Sequence, residues 1–137
     1  MSQYLFNDMR IMHTKFKVNE SVRKLSPEML KEFLQFRIRF LDEEMNELKA
    51  AAAEQNWEEV VDALIDLTVV ATGTLDAFDV DGIKAWNQVF EANMTKEPGV
   101  KASRPNPFGL PDLIKPTGWV GPDHSDNHGL LAKIGQL

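Results

Sequence analysis

A chain of 137 residues with 43% hydrophobic and 26% charged side chains suits a single domain with a real hydrophobic core. Its net charge of -6 argues against a nucleic acid polymer or an anionic membrane as partner, since both require a basic patch; a small phosphorylated ligand stays admissible, because a divalent cation can neutralise it locally. The lack of cysteine excludes disulfides, thiolate catalysis and cysteine-ligated zinc.

The opening residues through Phe16 contain no basic segment followed by a long apolar run, so no signal peptide is expected. Leu5, Met9, Met12 and Phe16 recur at helical spacing and predict an amphipathic helix over residues 2–17. Ser26-Pro27-Glu28 is a helix start, with a capping serine and a proline in the first helical position. From there Leu30, Leu34, Ile38, Leu41, Met45 and Leu48 form one continuous stripe. Four alanines, Ala50 to Ala53, run into the polar break Glu54-Gln55-Asn56, and a second helical pattern follows from Trp57 to about Phe78.

That second helix is apolar almost all round, so it is expected to be buried on every side, partly by another copy of the chain. Its longest weakly polar run, Ala63 to Leu75, is too short to span a bilayer and is broken by Asp66, so a soluble cytoplasmic protein is expected. Asp79-Val80-Asp81-Gly82 ends the pattern, and Asp81 is expected to cap a further helix reaching Met94 with Ile83, Trp86, Val89 and Phe90 facing inward. Prolines and glycines crowd the sequence after Lys96. The expected architecture is all-α: a four-to-five-helix bundle over residues 1–97, with an irregular Pro/Gly-rich tail, 98–137, packing on it rather than forming a separate domain.

Two acidic pairs flank the alanine turn, Glu44 with Glu47 and Asp62 with Asp66. In antiparallel neighbouring helices, residues equidistant from the turn share a height, and the midpoints of Glu47/Asp62 and Glu44/Asp66 both lie at about 54.5 to 55. The steps of three and four keep each pair on one helix face. Any single such pair reads most simply as a solvated surface. The combination is harder to dismiss, because Asp66 sits in an apolar helix where an unpaired carboxylate is costly. On a helical wheel Glu44 borders the core stripe, whereas Glu43 turns away from it.

Clustered carboxylates raise one another's pKa unless a cation lies among them, and an all-oxygen donor set favours Mg²⁺ or Mn²⁺. A di-iron centre would want Glu-x-x-His on the helices, and His13, His124 and His128 lie in the first helix and the tail. A calcium loop around Gly82 would need ligands at Ala77 and Gln88 and is rejected. Asn93 and Lys96 lie about one turn apart at a helix end, either as a favourable C-terminal cation or as phosphate donors. Lys101, Arg104 and Lys115 are further cations of the tail, and Trp119 and Phe16 are aromatic groups that could stack on a base.

Glu43-Glu44-x-x-Glu47, then Asp62-x-x-x-Asp66 followed by Gly73-Thr74, then Ala85-Trp86 with Glu91-x-Asn93-Met94-x-Lys96, resembles the all-α nucleoside triphosphate pyrophosphohydrolases. That superfamily includes MazG, the dimeric dUTPases and the phosphoribosyl-ATP pyrophosphohydrolases. The tail, Lys115-Pro116-x-Gly118-Trp119-x-x-Pro122-Asp123, is similar to the phosphoribosyl-ATP-pyrophosphohydrolase-like branch of phages and bacteria.

The resemblance implies hydrolysis of a nucleoside triphosphate between the α and β phosphates, giving a monophosphate and pyrophosphate. It further implies two or more Mg²⁺ ions, replaceable by Mn²⁺, on Glu44, Glu47, Asp62 and Asp66. Glu43 would orient the water or accept its proton, and Arg37, Asn93, Lys96 and Lys115 would hold the phosphates. A homodimer or homotetramer in a bacterial or phage-infected cell is expected, with a purine dNTP such as dGTP as substrate by likeness to phage enzymes of the MazZ type. MazG-type chains carry Glu-x-x-Asp on the second helix, which Glu59-x-x-Asp62 would fit, so the direct ligands among Glu59, Asp62 and Asp66 stay open. The alternatives are a pyrimidine dNTP (dUTP or dCTP) as substrate, or a silent helical module whose acidic face binds a basic partner.

Overall fold

Ser26 begins the longest helix as its sequence predicts: in a computed structural model that describes residues 2–104 and 107–135, its hydroxyl accepts the Met29 N–H at 3.2 Å and Pro27 follows in the first turn. In chain order the helices are α1 (Ser2–Lys15), α2 (Val18–Arg23), α3 (Pro27–Ala53), α4 (Trp57–Ala77) and α5 (Gly82–Met94). Two three-residue strands, β1 (Glu97–Gly99) and β2 (Asp112–Ile114), pair antiparallel with Pro98 opposite Leu113, and a last turn of helix is α6 (Leu131–Ile134). The fold is all-α apart from that ribbon. No helix among the described residues is long and apolar enough to cross a membrane.

Contacts divide the chain into two compact units, Met1–Ile83 with Asn127–Leu137, and Lys84–Asp126. In the first, α3 and α4 form an antiparallel hairpin and α1 packs along α4. Its core is Val22, Leu30, Ala77, Phe78 and Val80, with Phe78 and Leu30 completely enclosed and the Phe33 ring tilted against Phe78 at 5.5 Å. Leu130, Leu131 and Ile134 return to this core from the chain's end. The return is tight. Leu130 N–H donates to the Phe78 carbonyl at 2.7 Å, and Gly129 has φ 53 with its Cα so close that a Cβ would collide with the same oxygen. Just upstream, the Asn127 amide accepts from Asp81 N–H at 2.8 Å and donates to Asp81 C=O at 2.9 Å.

Lys17, Gln55 and Asp79 hold left-handed backbone, each just past a helix end. After α4, Val80 N–H reaches Leu75 O at 3.0 Å and Asp79 N–H reaches Asp76 O at 3.0 Å, a Schellman closure with Val80 and Leu75 sharing the core.

Three expectations need correction. The six-residue α2 was not foreseen, being too short to show a period. On α1 the buried positions are Met9 and His13, while Leu5, Met12 and Phe16 are exposed, because His13 turns inward to a buried acceptor on α4. On α4, Val61, Leu64 and Ile65 are 62%, 49% and 58% exposed in one chain, the part of its apolar girth for which a second copy is expected, and this is no correction. On α5, Trp86, Val89 and Phe90 are exposed and the buried positions are Gly82, which Phe6 covers, and Ala92, whose carbonyl accepts the Trp119 indole N–H.

In the unit Lys84–Asp126 the tail is irregular around its ribbon. Asp112 is buried there and accepts from Arg104 Nη2 at 2.8 Å and from Lys101 N–H at 3.2 Å. These bonds, the arginine's first, hold its carboxyl below the usual range. Arg104 thereby ties the segment before the ribbon to Asp112.

Candidate functional site

The acidic hairpin owes its geometry to a three-residue reversal. Gln55 N–H donates to Ala52 O at 3.1 Å and Asn56 N–H to Ala51 O at 2.9 Å, closing α3 in a Schellman motif with Gln55 in the left-handed position usually taken by glycine. Asn56 then caps α4, its side-chain oxygen accepting Glu59 N–H at 3.2 Å. One residue thus ends one helix and starts the next. The short connection sets Glu44 of α3 across from Asp66 of α4.

Glu44 is buried, and its Oε2 has no hydrogen-bond partner. Its carboxyl is pushed above the ordinary range first by burial, then by the neighbouring charges of Glu47 and Asp66, with Glu43 the smallest contributor. Half-buried Asp66 is raised by burial, then by Asp62 and, across the hairpin, by Glu47. The charges of Glu47 and Asp66 thus bear on Glu44, and those of Asp62 and Glu47 on Asp66, across the two helices. Glu43 is exposed beside it, and Glu59 is not among the carboxylates that perturb Glu44 or Asp66.

Among the described residues no three His, Asp or Glu side chains stand close enough to form a finished metal cage. The donor chemistry nonetheless fits a hard divalent cation: every group is a carboxylate, one buried oxygen is orphaned, and Glu47 and Asp62 are exposed at the rim.

Arg37 is drawn into the hairpin rather than left open to solvent. Its Nε donates to Thr74 Oγ1 at 2.9 Å and its Nη2 to Val70 O at 3.0 Å, while the guanidinium lies 5.4 Å from the Phe40 ring centre. Burial lowers its pKa from the arginine range. Gly73 makes room for it, since a Cβ there would stand 3.1 Å from Nη2. The Gly73-Thr74 pair is thus the seat of an arginine bolt between α3 and α4.

A second buried polar group escaped the sequence reading. Asp76 is 6% exposed and receives His13 Nδ1 at 2.7 Å, Arg10 Nε at 2.9 Å and Asn19 Nδ2 at 3.2 Å. Asn19 also donates to the Asp76 main-chain oxygen at 3.0 Å. The signal was present, because Asp76 interrupts an apolar helix as Asp66 does. Its partners lie 57 and more positions away and share no periodicity with it.

The remaining predicted cations belong to the unit Lys84–Asp126. The Lys96 and Lys115 ammonium groups lie 5.2 and 5.1 Å from the centre of the Trp119 ring, and Asn93 is half-buried on α5. Phe16, in the other unit, is exposed with Lys15 over its ring at 5.4 Å.

A family model described as phosphoribosyl-ATP pyrophosphohydrolase matches residues 11–93, a stretch that contains the whole acidic hairpin and stops short of Lys96. No curated protein and no solved structure matches the chain.

Proposed function

The chain belongs to the phosphoribosyl-ATP pyrophosphohydrolase family, in the MazG-like all-α superfamily, and from that premise we propose that it cleaves a deoxynucleoside triphosphate between the α and β phosphates, with dGTP the favoured substrate and Mg²⁺ the cofactor. Nucleotide pyrophosphohydrolysis is the activity of the family. The observation that carries the finer reading is Glu44: a carboxyl buried against a neighbouring helix, one oxygen unpartnered, in the field of Glu47 and Asp66. Such a group is costly in a purely structural interface and useful as a cation ligand.

Glu44, Glu47, Asp62 and Asp66 would hold Mg²⁺, with Mn²⁺ able to substitute. The bound ions would supply charge neutralisation on the phosphate chain and acidify a coordinated water. Glu43, exposed and next to Glu44 in sequence, would accept the proton of the attacking water. Arg37 has two donors committed to α4, which fixes the guanidinium and leaves Nη1 for a phosphate oxygen. Asn93, Lys96 and Lys115 are proposed as further phosphate donors on their chemistry.

We also propose a homodimer or homotetramer, because Val61, Leu64 and Ile65 of α4 and Ile38 and Met45 of α3 are all at least 41% exposed in a single chain. A monodisperse monomer by light scattering at micromolar concentration would remove that proposal.

The deciding experiment is a panel of eight NTPs and dNTPs with Mg²⁺, scored for pyrophosphate. Release from dGTP ahead of the others is expected, and Glu47→Gln should reduce turnover by orders of magnitude with an unchanged thermal melt, since Glu47 is exposed. No release from any nucleotide sinks the enzyme reading and leaves an acidic helical interaction module.

A further inference from the structure

Within the unit Lys84–Asp126, α5 and the loop after β2 enclose an open cavity of about 400 Å³, inside the size range of small-ligand clefts. We propose that this cavity is a guanine-nucleotide pocket, in which Gln88 and Glu91 read the base and Lys96 and Lys115 hold phosphate. Its ligand class rests on the reading of the chain as a nucleotide pyrophosphohydrolase.

Pro116 to Trp119 form a tight turn closed by Trp119 N–H to Pro116 O at 3.0 Å, with Gly118 at φ 76 in the third position, where a type II turn needs positive φ. The turn presents the indole to α5. There Nε1–H is shared between Ala92 O at 3.0 Å and Thr95 Oγ1 at 2.9 Å, so the ring is held in one orientation. Gly121 packs under it, since a Cβ there would stand 3.2 Å from the indole.

The fixed ring gathers Lys96 and Lys115, each about 5 Å from its centre. Among the described residues neither ammonium has a carboxylate within ion-pairing distance, although acids outnumber bases by 21 to 15 in the chain. Two cations without carboxylate partners beside a cleft are the complement of a phosphate ester.

The cavity wall supplies the reading groups. Gln88 and Glu91 both line it, and their spacing of three puts them on one face of α5. Gln88 Oε1 accepts Asp123 N–H at 3.0 Å, which fixes the amide orientation and leaves its NH₂ as the donor for a ligand. Glu91, exposed and unpaired with any cation, contributes two acceptors. One donor beside two acceptors is the complement of guanine, whose pairing edge offers O6, N1–H and the N2 amino group. Adenine and cytosine satisfy only one of the two acceptors, and thymine or uracil presents a carbonyl to one of them.

The test is calorimetric binding of nucleoside monophosphates to the full chain in EDTA, where neither turnover nor a metal-bridged complex can contribute. dGMP should bind at least tenfold more tightly than dAMP or dCMP, and dIMP, which lacks the 2-amino group, should fall between. Glu91→Gln should erase the preference among bases. Lys96→Met with Lys115→Met should weaken dGMP while leaving deoxyguanosine unchanged. No binding of dGMP, equal binding of all bases, or a preference that survives Glu91→Gln overturns the pocket. The hydrolysis panel is independent: base-selective binding without hydrolysis keeps the pocket and removes the catalytic reading, whereas hydrolysis without it does the reverse.

Discussion

Replacing Asp76 by alanine isolates the buried polar centre from the acidic hairpin on the same helix. The carboxylate accepts from His13, Arg10 and Asn19, and its loss affects them unequally. The His13 side chain is 7% exposed and would keep a buried N–H without a partner, at about 1–3 kcal/mol. Asn19 retains the Asp76 main-chain oxygen, so its loss is smaller. The Arg10 side chain is 45% exposed and rehydrates, giving up roughly 0–1 kcal/mol. Relief of the carboxylate's own desolvation offsets part of this, and the net loss is about 1–3 kcal/mol.

For a chain of this size that is a fall in Tm of about 3–10 °C. Urea unfolding followed by circular dichroism in EDTA at fixed protomer concentration measures it. A double-mutant cycle with His13→Ala should give a coupling of about 1–2 kcal/mol. A loss below about 1 kcal/mol would mean that the centre is solvated in solution and that α1 is not bolted to α4 through it.

Gln55→Gly should stabilise the chain by about 0.5–1 kcal/mol, because the left-handed position costs a non-glycine residue more than glycine loses in unfolded-state entropy; an unchanged denaturation midpoint counts against the Schellman geometry. Gly129→Ala should cost at least about 2 kcal/mol and expose the Phe78 core to dye binding, since both φ and the Phe78 carbonyl oppose a Cβ. Asp112 has a folded pKa below its unfolded value, so its contribution is complete above the ordinary carboxylate range and is lost as the pH falls through the lower, folded value. Carboxyl NMR should show that depressed titration, and Asp112→Asn should remove the corresponding acid-induced opening of the ribbon.

What was legible in the sequence was local. Ser26-Pro27, the alanine run and Asn56 mark the limits of α3 and α4 to within a residue or so, because caps and turns are written in adjacent residues. The height matching of Glu44 with Asp66 followed from those limits alone, as the helix repeat is rigid over this length. Burial faces were less legible. α1 turns on His13, whose acceptor lies 63 positions away, and α5 buries Ala92 beneath the Trp119 indole, a contact from 27 positions on that no stripe along the helix foretells. The seating of the Arg37 guanidinium against Gly73 and Thr74 was not legible, because it depends on two helices being in contact.

Asn127 holds Asp81 by both its backbone N–H and its C=O, so the chain leaves and rejoins the first unit at one stapled point. Residues 84–126 therefore form an excursion whose two ends are held together. Loop-closure entropy grows only logarithmically, and doubling such an excursion adds about 0.6 kcal/mol. A change of length in the stretch after α5 should therefore leave the acidic hairpin's scaffold intact, whereas α5 itself lies within the residues that the family model matches.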